Sequence, residues 1–216
     1  MRVVLMGPPG VGKGTQAAQM QALLGVPHVS TGNILRVAIQ QEGSALGSEV
    51  RRFVESGRLV PDALMGDLIA ERLERKDAAD GFILDGFHRT LEQVSILDGV
   101  LGRLGLELDR VLMLRAPESE IVRRLSGRRT CTKCGSVFHL ESRPPAAAGV
   151  CDGCGAELVQ RPDDTERVIR ERMKVYAEQT LPVAEAYRSR GVLVEIDGFG
   201  AVDAVGLRLS SGLGRV

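Results

Sequence analysis

Four cysteines, a glycine-rich loop around one lysine, and an aspartate closing an apolar run are the residues whose types and spacing could do chemistry. Cys131-x2-Cys134 and Cys151-x2-Cys154 are separated by 16 residues, with Gly135 and Gly155 after each pair. That spacing is a zinc pattern, and the glycines suit the tight knuckles that let thiolates converge. Four cysteine ligands complete a tetrahedron and leave no position for water, so the expected role is structural. Two disulfides are the alternative, disfavoured where thiols are kept reduced. Earlier in the chain, Gly7-x4-Gly12-Lys13-Gly14-Thr15 fits a phosphate-binding loop, except that Gly14 separates the lysine from the threonine. Gly10, Gly12 and Gly14 allow successive N–H groups to turn toward one point, and the following helix adds its positive end. Lysine occurs only at positions 13, 76, 133 and 174. Its presence in this loop suggests a compact ammonium that follows a moving phosphoryl group. The bland reading is a turn joining strand to helix. Asp85 ends the apolar stretch Gly81–Phe87, where a parallel sheet offers its carboxyl edge to ligands. An acid there faces a cation, expected to be Mg²⁺ on nucleotide phosphates held through water, or else caps the next turn.

These groups need elements to position them. Apolar strands are expected at Arg2–Met6, Pro27–Ser30, Gly81–Phe87, Arg110–Ala116 and Gly191–Asp197. Helices alternate with them, one over Pro117–Ser126 and a last one after Gly200. This is the pattern of an α/β fold with a five-stranded parallel sheet wound on both faces. Thr31 reads as a helix N-cap, Arg36 as a helix charge, Gly57 as a helix end, and Pro61 as the first turn of the next helix. A length of 216 residues suits one core with an inserted lobe. Lys plus Arg and Asp plus Glu both number 28, so the global positive charge of sequence-independent nucleic-acid binders is missing. No apolar run reaches a membrane span of roughly 18 residues. The N-terminal MRVVLMGPPG shows neither a basic segment followed by an apolar stretch nor a small-residue cleavage site, so a cytoplasmic location is expected.

The stretch GPPGVGKGTQ resembles the nucleoside monophosphate kinases, the adenylate kinase family above all. Further segments carry the resemblance in order: Thr31-Gly32-Asn33-Ile34-Leu35-Arg36, Gly57-Arg58-Leu59-Val60, Asp85-Gly86-Phe87-His88-Arg89, and Arg124 to Arg128 with Arg161-Pro162-Asp163-Asp164 flanking the cysteines. It implies a P-loop three-layer core (1–29, 61–126 and 163–216), a helical monophosphate-binding lobe (30–60) and a zinc-ribbon-like lid (127–162). The implied reaction is MgATP + AMP ⇌ 2 ADP by a monomer, with structural Zn²⁺. By resemblance ATP meets Gly10, Val11, Gly12, Lys13, Gly14, Thr15, Gly200, and Val137 and Phe138 covering its adenosine, while Arg124 and Arg128 close from the lid. AMP meets Thr31 at the base, Arg36 at the phosphate, the lobe-closing Arg58, Leu59 and Val60, then Gly86, Phe87, His88 and Arg89, with Gln93 on adenine. Arg161 and Arg172 grip the transferring phosphates. Such clustering suits phosphoryl transfer, which consists mostly of positioning and charge stabilisation.

One position departs from the family, which has Pro, typically after a cis bond, where this chain has His88. A non-Pro cis bond costs about 3–4 kcal/mol against about 0.5–1 for X-Pro, so the loop either carries strain or takes another path. His88 as a catalytic base is disfavoured, because transfer to a phosphate needs none. Alternatives remain. A UMP/CMP kinase is one, although by family analogy Thr31 and the long lid argue against it. A P-loop protein with a nucleic-acid-binding zinc ribbon is another. Between Ser126 and Arg161 five basic residues face three acidic ones plus the charge of a tetrathiolate zinc, with Phe138 alone for stacking, so no binding to nucleic acid or membrane is expected. A GTPase switch would need a guanine-reading Asn-Lys-x-Asp, which this sequence lacks.

Overall fold

A computed structural model describes residues 1–214. Five parallel strands form the central sheet: β1 (Arg2–Met6), β2 (His28–Ser30), β3 (Phe82–Asp85), β4 (Arg110–Arg115) and, last in the chain, β8 (Leu193–Asp197), in spatial order β2-β3-β1-β4-β8. The expected α/β class with a five-stranded parallel sheet therefore holds. Strand alternation sends side chains to two cores. Val4, Met6, Phe82, Leu84, Val111 and Met113 enter the larger core, and Val3, Leu5, Ile83, Leu112 and Leu114 enter the other. On the larger side lie α4 (Asp62–Leu73), α5 (Leu91–Leu104) and α8 (Val183–Ser189); on the other lie α1 (Lys13–Leu24) and α9 (Val202–Gly212). Chain order reverses around β1, so a crevice opens beyond the carboxyl ends of β1 and β3, the usual ligand position in such sheets.

Two insertions overhang that crevice. The first is the pair α2 (Thr31–Gln40) and α3 (Ala45–Ser56). Gly57 caps α3 in the left-handed region, φ 78°, and a side chain there would meet Val168 and Arg172 of α7 (Glu166–Val175). Pro61 takes the cap position of α4, one residue before the helix begins. The second insertion follows α6 (Glu118–Ser126) and is a small antiparallel sheet of β5 (Arg128–Cys131), β6 (Val137–His139) and β7 (Leu158–Val159), ordered β6-β5-β7. Its own core is only Cys131, Phe138, Cys151 and Leu158. Between α7 and α8 the helix widens into a π-turn at Tyr176–Thr180. Among the described residues no helix is long and apolar enough to cross a membrane.

Candidate functional site

The loop after β1 ends at Gly12, which caps α1 with φ 107°, a conformation that favours glycine. The first-turn N–H groups of α1 have no intrahelical acceptor and point into the crevice. Lys13 Nζ arches back to the carbonyls of Gly7 (2.8 Å) and Pro8 (3.0 Å). Burial pushes this ammonium down to about 8, with Asp85 opposing and Arg89, Arg172 and Arg128 adding to the depression. Gly14 and Thr15 are exposed at the mouth. The Asp85 carboxylate lies at the end of β3, close to the first turn of α1 at Gly14 and 3.4 Å from His28 Nε2. Burial alone would raise it, but His28 and Lys13 overcome that and hold it low. An ionised carboxylate at this place fits a hydrated divalent cation.

Five arginines complete the crevice. Arg128 is gripped by both oxygens of Asp164, at 2.7 and 2.5 Å. Arg172 reaches Asp163 Oδ2 (2.9 Å) and Asp164 Oδ1 (3.3 Å). Arg161 is held by Thr130 Oγ1 at 2.8 Å, and burial pushes it down to about 9, with Arg128 and Arg36 adding to the depression. Burial likewise pushes Arg89 down to about 10, with Arg172 contributing, and lowers Arg36. An arginine depressed this far still carries its charge at neutral pH. With Lys13 the five arginines put six cations around three carboxylates, Asp85, Asp163 and Asp164. The excess of positive charge raises the cost of each buried cation, a cost that a polyanion in the crevice would offset.

The other expected residues are spread between the core, the crevice and the surface. The His88 ring is buried edge-on between Phe87 and Tyr187, at 5.2 and 5.3 Å between centroids, and neither nitrogen finds a protein partner. Burial pushes it down to about 3, so it brings no charge to a ligand. The Phe87–His88 bond is trans, as are the other described peptide bonds, so the loop carries no cis strain. Phe138 does not face outward to cover an adenosine, because strand alternation turns Val137 to solvent and buries Phe138 in the small core. Val11 and Val60 are also buried, 1% and 6% exposed, leaving their backbone to a ligand. Arg124 braces the phosphate-binding loop from beneath: its Nη1 donates to the carbonyls of Val11 (3.0 Å) and Gly198 (3.1 Å), and Glu120 holds its Nε. Thr31 is the first residue of α2 and donates its hydroxyl to the Asp85 carbonyl. Gly86, φ 86°, allows that approach, since a Cβ there would stand 2.9 Å from Thr31 Oγ1. Gly200 and Arg58 are exposed, and Leu59 is half-buried. Gln93 donates to Asp62 and accepts from the backbone N–H of Arg89. Asp62, Thr180 and His28 were given no role from the sequence, and Asp163 and Asp164, read there only as part of a motif flanking the cysteines, brace Arg128 and Arg172.

In the small lobe all four sulfurs lie within 4.8 Å of one another, with Cys131–Cys154 at 3.4 Å and Cys134–Cys151 at 3.6 Å. A thiolate tetrahedron with bonds of about 2.3 Å has edges of about 3.8 Å, so the four positions fit a tetrahedral ion and are too far apart for disulfides. The backbone N–H groups of Lys133 and Cys134 point at Cys131 Sγ, both at 3.4 Å. The Ser136 hydroxyl, 3.1 Å from Cys134 Sγ, lowers that thiol to about 6.

The family model for adenylate kinase matches residues 5–192. The chain belongs to the adenylate kinase family. As a member it is a nucleoside monophosphate kinase, a phosphotransferase. The adenylate kinase of Moorella thermoacetica is 47% identical over 215 residues, covering 100% of this chain and 99% of that one. That of Clostridium botulinum is 43% identical over the same shares, and that of Desulfitobacterium hafniense 47% identical over 198 residues, 92% and 91% of the two chains.

Proposed function

We propose that the chain catalyses MgATP + AMP ⇌ 2 ADP in the cytoplasm as a monomer, maintaining adenine nucleotide balance and salvaging AMP. The observation that carries the reading is six cations converging on one crevice with three carboxylates among them. A phosphate oxygen of AMP attacks the γ-phosphorus, the bond to the β-phosphate oxygen breaks, and two ADP molecules result. The attacking oxygen is already anionic, so no general base is required. The first turn of α1 cradles the triphosphate, and Lys13 follows the transferring group. Arg36 and Arg89 hold the AMP phosphate, Arg128, Arg161 and Arg172 surround the phosphoryl in transit, and Arg124 fixes the loop from below. Thr31, Leu59, Val60 and Gln93 bound the AMP base.

Asp85 is the residue that would hold Mg²⁺ through water, and the ion would supply neutralisation of phosphate charge. The four cysteines would hold zinc as a cross-link without a part in the chemistry. Label transfer tests the reading. ATP carrying a labelled γ-phosphate should yield labelled ADP only when AMP is present; release of label as inorganic phosphate independent of AMP would exclude it.

A further inference from the structure

Arg89 has no carboxylate partner among the described residues; its Nε donates to the Gly86 carbonyl at 2.8 Å. Its position therefore depends on what fixes its backbone. The N–H of Arg89 donates to Gln93 Oε1 at 2.9 Å, and its carbonyl accepts from Thr180 Oγ1 at 3.1 Å. Gln93 Nε2 donates to Asp62 Oδ1 at 2.7 Å, and Thr90 Oγ1 donates to Asp62 Oδ2 at 2.8 Å while accepting from the N–H of Gln93. These bonds form a closed ring linking the start of α4 to the Arg89 turn. A backbone N–H can only donate, so the Gln93 amide has one allowed orientation, oxygen to Arg89 and nitrogen to Asp62.

We propose that Asp62 is a positioning residue for Arg89, and through it for the AMP phosphate, with Thr180 on the π-turn as the second anchor. The inference rests on the reading of Arg89 as an AMP-phosphate ligand. Asp62 is the only group in the ring that accepts without donating. Without it, the Thr90 hydroxyl and Gln93 Nε2 lose their acceptor. The Gln93 amide can then rotate and set its NH₂ against the N–H of Arg89, releasing the turn. Asp62 also follows directly on Val60 and Pro61, so this ring joins the end of the α2–α3 insertion to the phosphate-binding arginine.

Steady-state kinetics of the full chain tests this with Asp62→Ala, Asp62→Asn, Thr180→Val and Arg89→Lys. Asp62→Ala should raise KM for AMP about tenfold, a part of the cost of two part-buried donors left unpaired, the rest falling on stability, with KM for ATP within about twofold. Asp62→Asn keeps one acceptor oxygen and should fall between it and the parent. Thr180→Val, which preserves shape, should raise KM for AMP about threefold, as the loss of one neutral bond. If Arg89→Lys weakens AMP while neither Asp62 nor Thr180 variants do, the positioning role is wrong. If Asp62 variants lower Tm and raise both KM values alike, their part is structural and the inference fails. If Arg89→Lys leaves KM for AMP unchanged, the reading beneath it fails, and the inference with it.

Discussion

Raising the pH from 7.5 to 9 should weaken MgATP binding about eightfold, through Lys13. Burial holds this ammonium near 8 in the ligand-free protein, with Arg89, Arg172 and Arg128 depressing it further against Asp85. A polyphosphate seated on Lys13 favours the charged form, so the complex must hold the proton more tightly than the free protein. The apparent Kd then grows with the fraction of free protein that has lost the proton, from about 1.3 times its limiting value at pH 7.5 to about 11 times at pH 9. Phosphate groups, whose second ionisation lies near 6, are fully ionised across this range. Calorimetric titration at fixed ionic strength measures the effect, the salt being fixed because exposed charges are screened. Lys13→Arg, whose charge does not titrate here, should flatten the profile. Stability runs the other way. Between about 8 and 10.5 the unfolded chain retains a proton that folded Lys13 has released, so this group makes the ligand-free fold more stable as pH rises. A wild-type affinity flat from pH 7.5 to 9.5, or a Lys13→Arg profile as steep as the parent's, would refute the reasoning.

Three other outcomes are expected. Zinc removal by chelation, or Cys131→Ser with Cys134→Ser, should melt the small lobe first, since four side chains form its core while structural zinc supplies an apparent ~10–16 kcal/mol; differential scanning calorimetry should split or broaden, with ATP affinity weakened and the parallel core intact. Asp164→Ala strips Arg128 of both its carboxylate bonds and should cost about 3–5 kcal/mol, as breaking a buried pair does, read as a lower urea midpoint. His88→Phe replaces a buried ring with two unpartnered nitrogens by an apolar one, so Tm should rise by about 2–4 °C per kcal/mol recovered with KM for AMP unchanged; a falling Tm would contradict the environment described for that ring.

What could be read from the sequence was what short-range spacing encodes. The cysteine pairs, the glycine loop and the five apolar strands are local patterns, and each predicted element appears within one or two residues of its place. The bracing of the cations was not local. Asp62 meets Gln93 across 31 positions, Thr180 meets Arg89 across 91, and Arg128 meets Asp164 across 36, separations to which no periodicity applies. Thr180 reaches Arg89 from a π-turn, which no residue pattern announces. That the Phe138 side chain packs inward was legible too, because alternation along a three-residue strand puts it opposite Val137. The burial of the His88 ring was not legible, because a polar residue beside a phosphate-binding motif suggests the crevice, whereas its ring packs in the core beside Tyr187.

The central claim is that this crevice transfers a phosphoryl group from MgATP to AMP, and kcat/KM measured across AMP, GMP, CMP and UMP with MgATP as donor tests it most directly. AMP should be preferred over each of the others by at least about tenfold, a discrimination of about 1.4 kcal/mol, with two ADP formed per AMP consumed. A pyrimidine monophosphate turned over as fast as or faster than AMP would contradict the account.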